Sequence, residues 1–136
     1  MAKTNAFKIA ELIRGITFDT TNDVIVTTKH INSKSKKVGN ATKTSTTQFS
    51  LDTFAHASFR AARYIIAMKE GTNFHSTEIM LVHDGSVVTL TAYCTLKDTN
   101  LATIDADISG DDVRLLVTPA STNSTVIKFD RTFVDA

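Results

Sequence analysis

Two histidines and one cysteine are the first side chains in this sequence that could do chemistry. Zinc is held by ligands that come in closely spaced pairs, with thiolate and imidazole donors. His75 and His83 stand eight residues apart, at the two ends of one expected strand. At the rise of a β-strand this separates them by roughly 26 Å, too far to share an ion. Each reads instead as a turn or surface residue at a strand end. Cys94 is the chain's single cysteine and has no partner for an internal bridge. Set in an apolar strand, it reads as a buried, inert thiol.

The carboxylates Asp105, Asp107, Asp111 and Asp112 surround Gly110. Clustered carboxylates suit a hard cation such as calcium. The spacing does not fit a calcium loop, because Ser109 stands where the frame needs Asp or Asn and the closing Glu is missing. The simpler reading is a strand with Asp105 and Asp107 facing water, followed by a turn. Nucleophilic catalysis finds no G-x-S-x-G elbow, and His83-Asp84 has no positioned serine. No glycine-rich phosphate loop is present. The expectation is therefore no catalytic residue, no metal, no cofactor and no enzymatic activity.

A third feature is charge. Residues 1–50 carry eight Lys/Arg and three Asp/Glu, while residues 51–136 carry seven and eleven. The basic excess gathers at Lys29, Lys34, Lys36, Lys37 and Lys43. Such a segment can meet an acidic protein surface or nucleic acid. Residues 29–47 contain no aromatic side chain to stack on bases, which argues against nucleic acid.

The elements that carry these residues fall into two expected domains, residues 1–50 and residues 51–136. The first opens on a short helix. Ile9, Leu12, Ile13 and Ile16 recur at i, i+3, i+4 and i+7, one helical face. Asn5 is its N-cap and Gly15 its C′ residue. About ten residues of helix are marginal alone in water and need a surface to lean on. A hairpin follows, with Ile16–Asp19 and Val24–Thr27 flanking a polar tip. Residues 28–47 are rich in Lys, Ser, Thr and Asn, and read as an exposed loop or extended arm.

From Leu51 to Phe129 the sequence is one strand after another: FRAARYIIAM, STEIMLVH, SVVTLTAYCTL, LATIDADI, DVRLLVTP and STVIKFD. Glu70-Gly71-Thr72, Asp84-Gly85-Ser86 and Ser109-Gly110-Asp111 are turn signals between them. Most strands alternate. Tyr64, Ile66 and Met68 oppose Arg63 and Lys69; Val113, Leu115 and Val117 oppose Arg114. One apolar and one polar face per strand is the pattern of two packed sheets. The exception is Ile79–Val82, apolar on both faces. It reads as a fully covered central strand, or as one whose second face meets another subunit. The fold class is all-β: an antiparallel, jelly-roll-like β-sandwich, preceded by a short N-terminal helix and an extended arm. No secretory signal opens the chain and no apolar run approaches the length that spans a bilayer. The expectation is a water-soluble chain made in a reducing compartment, without membrane insertion.

Several of these strands carry a resemblance. Phe59-Arg60-Ala61-Ala62-Arg63-Tyr64, Gly71-Thr72-Asn73-Phe74-His75-Ser76-Thr77-Glu78-Ile79 and Val82-His83-Asp84-Gly85 are its first segments. Ala92-Tyr93, Ile104-Asp105-Ala106-Asp107-Ile108 and Val113-Arg114-Leu115-Leu116-Val117-Thr118-Pro119 complete it. Together they resemble a β-domain of virion proteins of marine tailed phages, particularly cyanophages. The opening Asn5-Ala6-Phe7-Lys8-Ile9-Ala10-Glu11-Leu12 is similar to the N-termini of that group. The resemblance implies a virion structural role at the particle surface, with other virion proteins as partners, and supplies no catalytic residue.

One copy of the domain and no shaft repeats favour a capsid-surface decoration protein, a knob on the major capsid protein. Ile9, Leu12, Ile13, Ile16, Lys34, Lys36 and Lys37 would anchor it. The alternative is a tail-fibre or tail-appendage domain that binds a host receptor or glycan, with Phe74 and Tyr93 as its platform. A homo-oligomer is left open in either case.

Overall fold

A computed structural model describes residues 16–19, 24–27 and 36–135. The expected N-terminal helix, with Ile9, Leu12 and Ile13, lies outside the described residues. The chain divides into two compact units, Met1–Ser33 and Lys34–Ala136. In the first, β1 (Ile16–Asp19) pairs antiparallel with β2 (Val24–Thr27), from Ile16 opposite Thr27 to Asp19 opposite Val24. These are the two strands of the expected hairpin.

The second unit is an antiparallel β-sandwich. Its strands are β3 (Lys36–Lys43), β4 (Phe49–Ala55), β5 (Phe59–Glu70), β6 (Asn73–His83) and β7 (Val88–Lys97), then β8 (Ala102–Ser109), β9 (Asp112–Pro119) and β10 (Thr125–Asp135). One sheet has five strands in the order β3-β10-β5-β6-β7; the other has three, β4-β9-β8. The last strand of the chain is thus an inner strand, inserted between β3 and β5. Alternation decides which residues face inward. Tyr64, Ile66, Ile79, Leu81 and Ile127 of the large sheet meet Val113, Leu115 and Val117 of the small one, all fully buried. Each such side chain stabilises the fold by roughly 1.5–3 kcal/mol relative to exposure. The β5–β6 and β8–β9 hairpins have two-residue loops, each with glycine first, Gly71 at φ 60° and Gly110 at φ 61°. That left-handed first position is what a type II′ hairpin turn needs.

Three local expectations are corrected. Residues 36–43 are not loop: they form β3, paired with β10 from Lys43 opposite Thr125 to Lys36 opposite Thr132. Its lysines hid a strand, because an edge strand needs little apolar content and is often lysine-rich. Cys94 is exposed and sits at φ 51°. It lies where the β6–β7 register shifts, in a β-bulge on the edge strand. His75 and His83 are buried, 5% and 3% exposed, because β6 turns its odd-numbered positions inward.

Candidate functional site

The most concentrated chemistry is a buried ion cluster. Asp52 of β4 points between the sheets, its side chain wholly inaccessible. One carboxylate oxygen accepts a bond from Lys37 Nζ of β3 at 2.7 Å. The other accepts from Tyr64 OH of β5 at 3.1 Å and from the Arg131 guanidinium of β10. Burial first, and then the Asp52 carboxylate, push the Tyr64 phenol far above its ordinary range. It therefore remains a donor. A carboxylate with three protein donors and no exposed surface is not open to a ligand from solvent. The cluster ties one strand of the small sheet to three strands of the large one, and its role is structural. Arg131 also stacks on Phe133, its guanidinium carbon 3.6 Å from the ring centre.

This cluster places one predicted anchoring residue: Lys37 turns its amine inward to Asp52, with its side chain half-exposed. Lys36, one residue earlier, is exposed on the opposite face. Lys34, Ile9, Leu12 and Ile13 lie outside the described residues, and Ile16 opens β1. Sequence reasoning missed Asp52 and Arg131 as partners. The signal was an arginine in the inward register Ile127, Phe129, Arg131, Phe133, since a buried guanidinium requires a buried acid.

The outward face of the five-stranded sheet is the second feature. Ladder registers put residues in rows across the strands. One row is Val38, Asp130, Ile65, Glu78 and Tyr93. On one side of it run Lys36, Thr132, Arg63, Met80 and Thr91; on the other run Asn40, Lys128, Ala67, Ser76 and Leu96. Phe74, Val82 and Val134 lie further out on the same face. Of the nine exposed large apolar side chains among the described residues, eight are on this face, Val87 being the other. Met80 and Val82 are each 48% exposed, so Ile79–Val82 is not covered on both sides by the described residues. Arg63 and Glu78 form an ion pair at 2.6 Å. That hydrogen bond holds the Glu78 carboxyl below the usual range. Val38, Ile65, Ala67 and the Lys128–Asp130 stretch line a shallow open groove of about 430 Å³.

Phe74 and Tyr93 both lie on this face, Phe74 on strand β6. They do not form one platform. Tyr93 is opposite Glu78, four residues along β6 from Phe74, or roughly 13 Å. Leu96, opposite Ser76, stands between them.

The remaining candidates have local partners. Arg114 donates two bonds to the Asp107 carboxylate, one at 2.8 Å, and Asp105 accepts from the Ala106 amide. His83 bonds the Phe59 carbonyl at 2.6 Å through Nε2. Among the described residues, no group of three or more His, Cys, Asp or Glu is placed to hold a metal.

No protein-family model matches the chain, and no curated protein matches it. Solved structures offer a loose likeness. The tailspike protein of Acinetobacter phage vB_ApiP_P1 is 12% identical with a TM-score of 0.48, over 72% of this chain and 21% of that one. The tailspike of Acinetobacter baumannii phage AM24 is 10% identical with a TM-score of 0.45, over 75% and 26%. A third is tailspike protein gp49 of A. baumannii bacteriophage Fri1, a capsular polysaccharide depolymerase. It is 12% identical with a TM-score of 0.30, over 98% and 24%. The chain thus spans about a quarter or less of these proteins' length. One expectation is corrected here. The expectation of no enzymatic activity does not stand: one of these three proteins is a capsular polysaccharide depolymerase, and the lack of a sequence motif does not make this chain a non-enzyme. Paired carboxylates of a glycan-cleaving site are defined by their separation in space and leave no motif.

Proposed function

We propose that this chain is a β-sandwich domain of a phage tail appendage, working by contact through the outward face of its five-stranded sheet. The observation that carries the reading is the collection of exposed apolar side chains on that one face. Exposed apolar side chains gathered on one face, here interspersed with Arg63, Glu78, Lys128 and Asp130, mark an interaction site. The resemblance of residues 51–129 to virion β-domains supports a place on the particle. Tailspikes are the kind of protein in which similar shapes occur, and the tail reading accordingly stands ahead of the capsid knob on the major capsid protein. Ile9, Leu12, Ile13 and Ile16, with Lys34 and Lys36, would serve as the anchor, Lys37 being engaged with Asp52 inside the sandwich.

Gold-labelled antibody on intact particles tests the assignment. Label at the tail is expected. Label over the capsid shell would restore the decoration reading, and no label on purified particles would remove the virion role.

A second reading, contact with a host receptor or glycan, is favoured by the exposure of Phe74, 54%, and Tyr93, 36%. Phe74→Ala and Tyr93→Ala should then each reduce adsorption to host cells; unchanged adsorption in both removes it.

A further inference from the structure

We propose that the occupant of the outward five-stranded face is a second copy of this chain, packed face to face about a two-fold axis. The inference rests on the reading of that face as a contact surface and names its partner.

Size is the first consideration. Five strands at ~4.8 Å spacing and about nine residues of strand at ~3.4 Å give a face of roughly 24 by 30 Å, about 700 Å². A stable pair buries roughly 800 Å² per partner. The face is therefore the right size for one flat partner of its own dimensions.

Self-complementarity is the second. A two-fold contact must satisfy each pairing twice, residue i on j and j on i. Let the axis cross the strands between the row through Ile65 and the row through Ala67. Each strand then lies antiparallel over its own copy. Ile65 meets Ala67 of the second copy and Ala67 meets its Ile65, at the centre of the face on β5. Asp130 meets Lys128, and Lys128 meets Asp130, on β10. Met80 meets Phe74 reciprocally on β6. Tyr93 meets Leu96 on β7, so the apolar groups of β5, β6 and β7 fall on apolar groups, while Val38 falls on Asn40; of the two acids of the central row, Asp130 falls on a base and Glu78 on Ser76. The one like-charge approach is Arg63 over Lys69, and Arg63 is already held by Glu78 at 2.6 Å. An axis placed within the central row fails, because it would set Asp130 on Asp130 and Glu78 on Glu78. The sequence spacing of Asp130 and Lys128, two apart on one face, is what makes the offset arrangement self-complementary.

Sedimentation velocity on the purified full chain tests this. A concentration-dependent dimer is expected. Asp130→Lys alone should weaken it about tenfold or more, because each pairing becomes Lys on Lys. Lys128→Asp alone should do the same through Asp on Asp. The double variant Asp130→Lys/Lys128→Asp should restore the dimer, since the swapped charges meet again across the axis. All of these positions are on the surface, and circular dichroism verifies that each variant keeps its strands. A monomer at every concentration, a trimer, or a double variant as weak as the singles would overturn the proposal. A monomer would also be the result if a glycan or another virion protein occupies the face. The oligomeric state is read on the isolated chain and antibody label on the particle, so either reading can fail without the other.

Discussion

The two sheets of the sandwich share one core but turn different surfaces outward. The outward face of the three-stranded sheet carries Ser50 and Thr53 on β4, Arg114 and Thr118 on β9, and Thr103, Asp105 and Asp107 on β8. Its large apolar residue, Leu116, is only 8% exposed, and the Asp107–Arg114 pair sits beside it. The five-stranded sheet presents Val38 at 77%, Leu96 at 70% and Val134 at 63% exposure. Strands of the same fold thus obey opposite rules. On the small sheet the outward positions are chosen for water. On the large sheet they include eight exposed large apolar side chains, as the proposed contact face would require. Apolar exposure that were merely tolerated would be scattered over both faces; here it is confined to one.

Several experiments could break or sharpen that contrast. The largest effect is expected at the tie between the sheets. Asp52→Ala leaves Arg131 and Lys37 without their acid, and should cost about 3–5 kcal/mol. Urea denaturation reads this, and both faces should lose their geometry together. A loss under 1 kcal/mol or so would mean the sheets hold together without the cluster. Next is the edge of the large face. A Cβ on Gly39 would lie 2.5 Å from Phe129 Cε1. Gly39→Ala should therefore cost about 1–3 kcal/mol by overpacking, and amide exchange in β3 should rise before that in β5.

A smaller effect is expected with pH. Burial, and then Lys97, hold the His75 imidazole below its ordinary 6.5. The unfolded chain therefore takes up this proton at higher pH than the folded one. The contribution is present above about pH 6.5 and is lost as pH falls towards the folded value. The urea midpoint should drop between about pH 7.5 and 5.5, and His75→Gln should flatten part of that drop.

The smallest changes in stability are expected for two substitutions on the outward faces: about 1 kcal/mol for Ile65→Asp, which sets an acid between Asp130 and Glu78, and within about 0.5 kcal/mol for Thr53→Asp. They should differ in assembly: Ile65→Asp abolishes self-association in sedimentation and Thr53→Asp leaves it intact. Equal behaviour would erase the contrast between the faces.

Much of the sandwich was legible because alternation is a local property. Tyr64, Ile66 and Met68, or Val113, Leu115 and Val117, betray their face by spacing alone. The turns at Gly71 and Gly110 are legible for the same reason. Strand β3 was not, since Lys36–Lys43 contains only one large aliphatic side chain, Val38, and that one points outward. Cys94 was misjudged because the bulge in β7 is set by pairing with β6, which spacing within β7 does not record. The histidines were misjudged because their place in the inward register of β6 outweighs their position at its ends.

Local pattern along the chain was enough to mark residues 51–129 as antiparallel strands with one apolar face, Ile79–Val82 as a segment with two, and the places where the hairpins turn. Those properties follow from period and turn chemistry over a few residues. It took the packing of the two sheets to bring Asp52 and Arg131, 79 positions apart, into one buried site. Tertiary structure also puts Val38, Ile65 and Met80, from three strands, on one exposed surface. Strand order and register fix both, and these are set by long-range pairing, which no local pattern encodes.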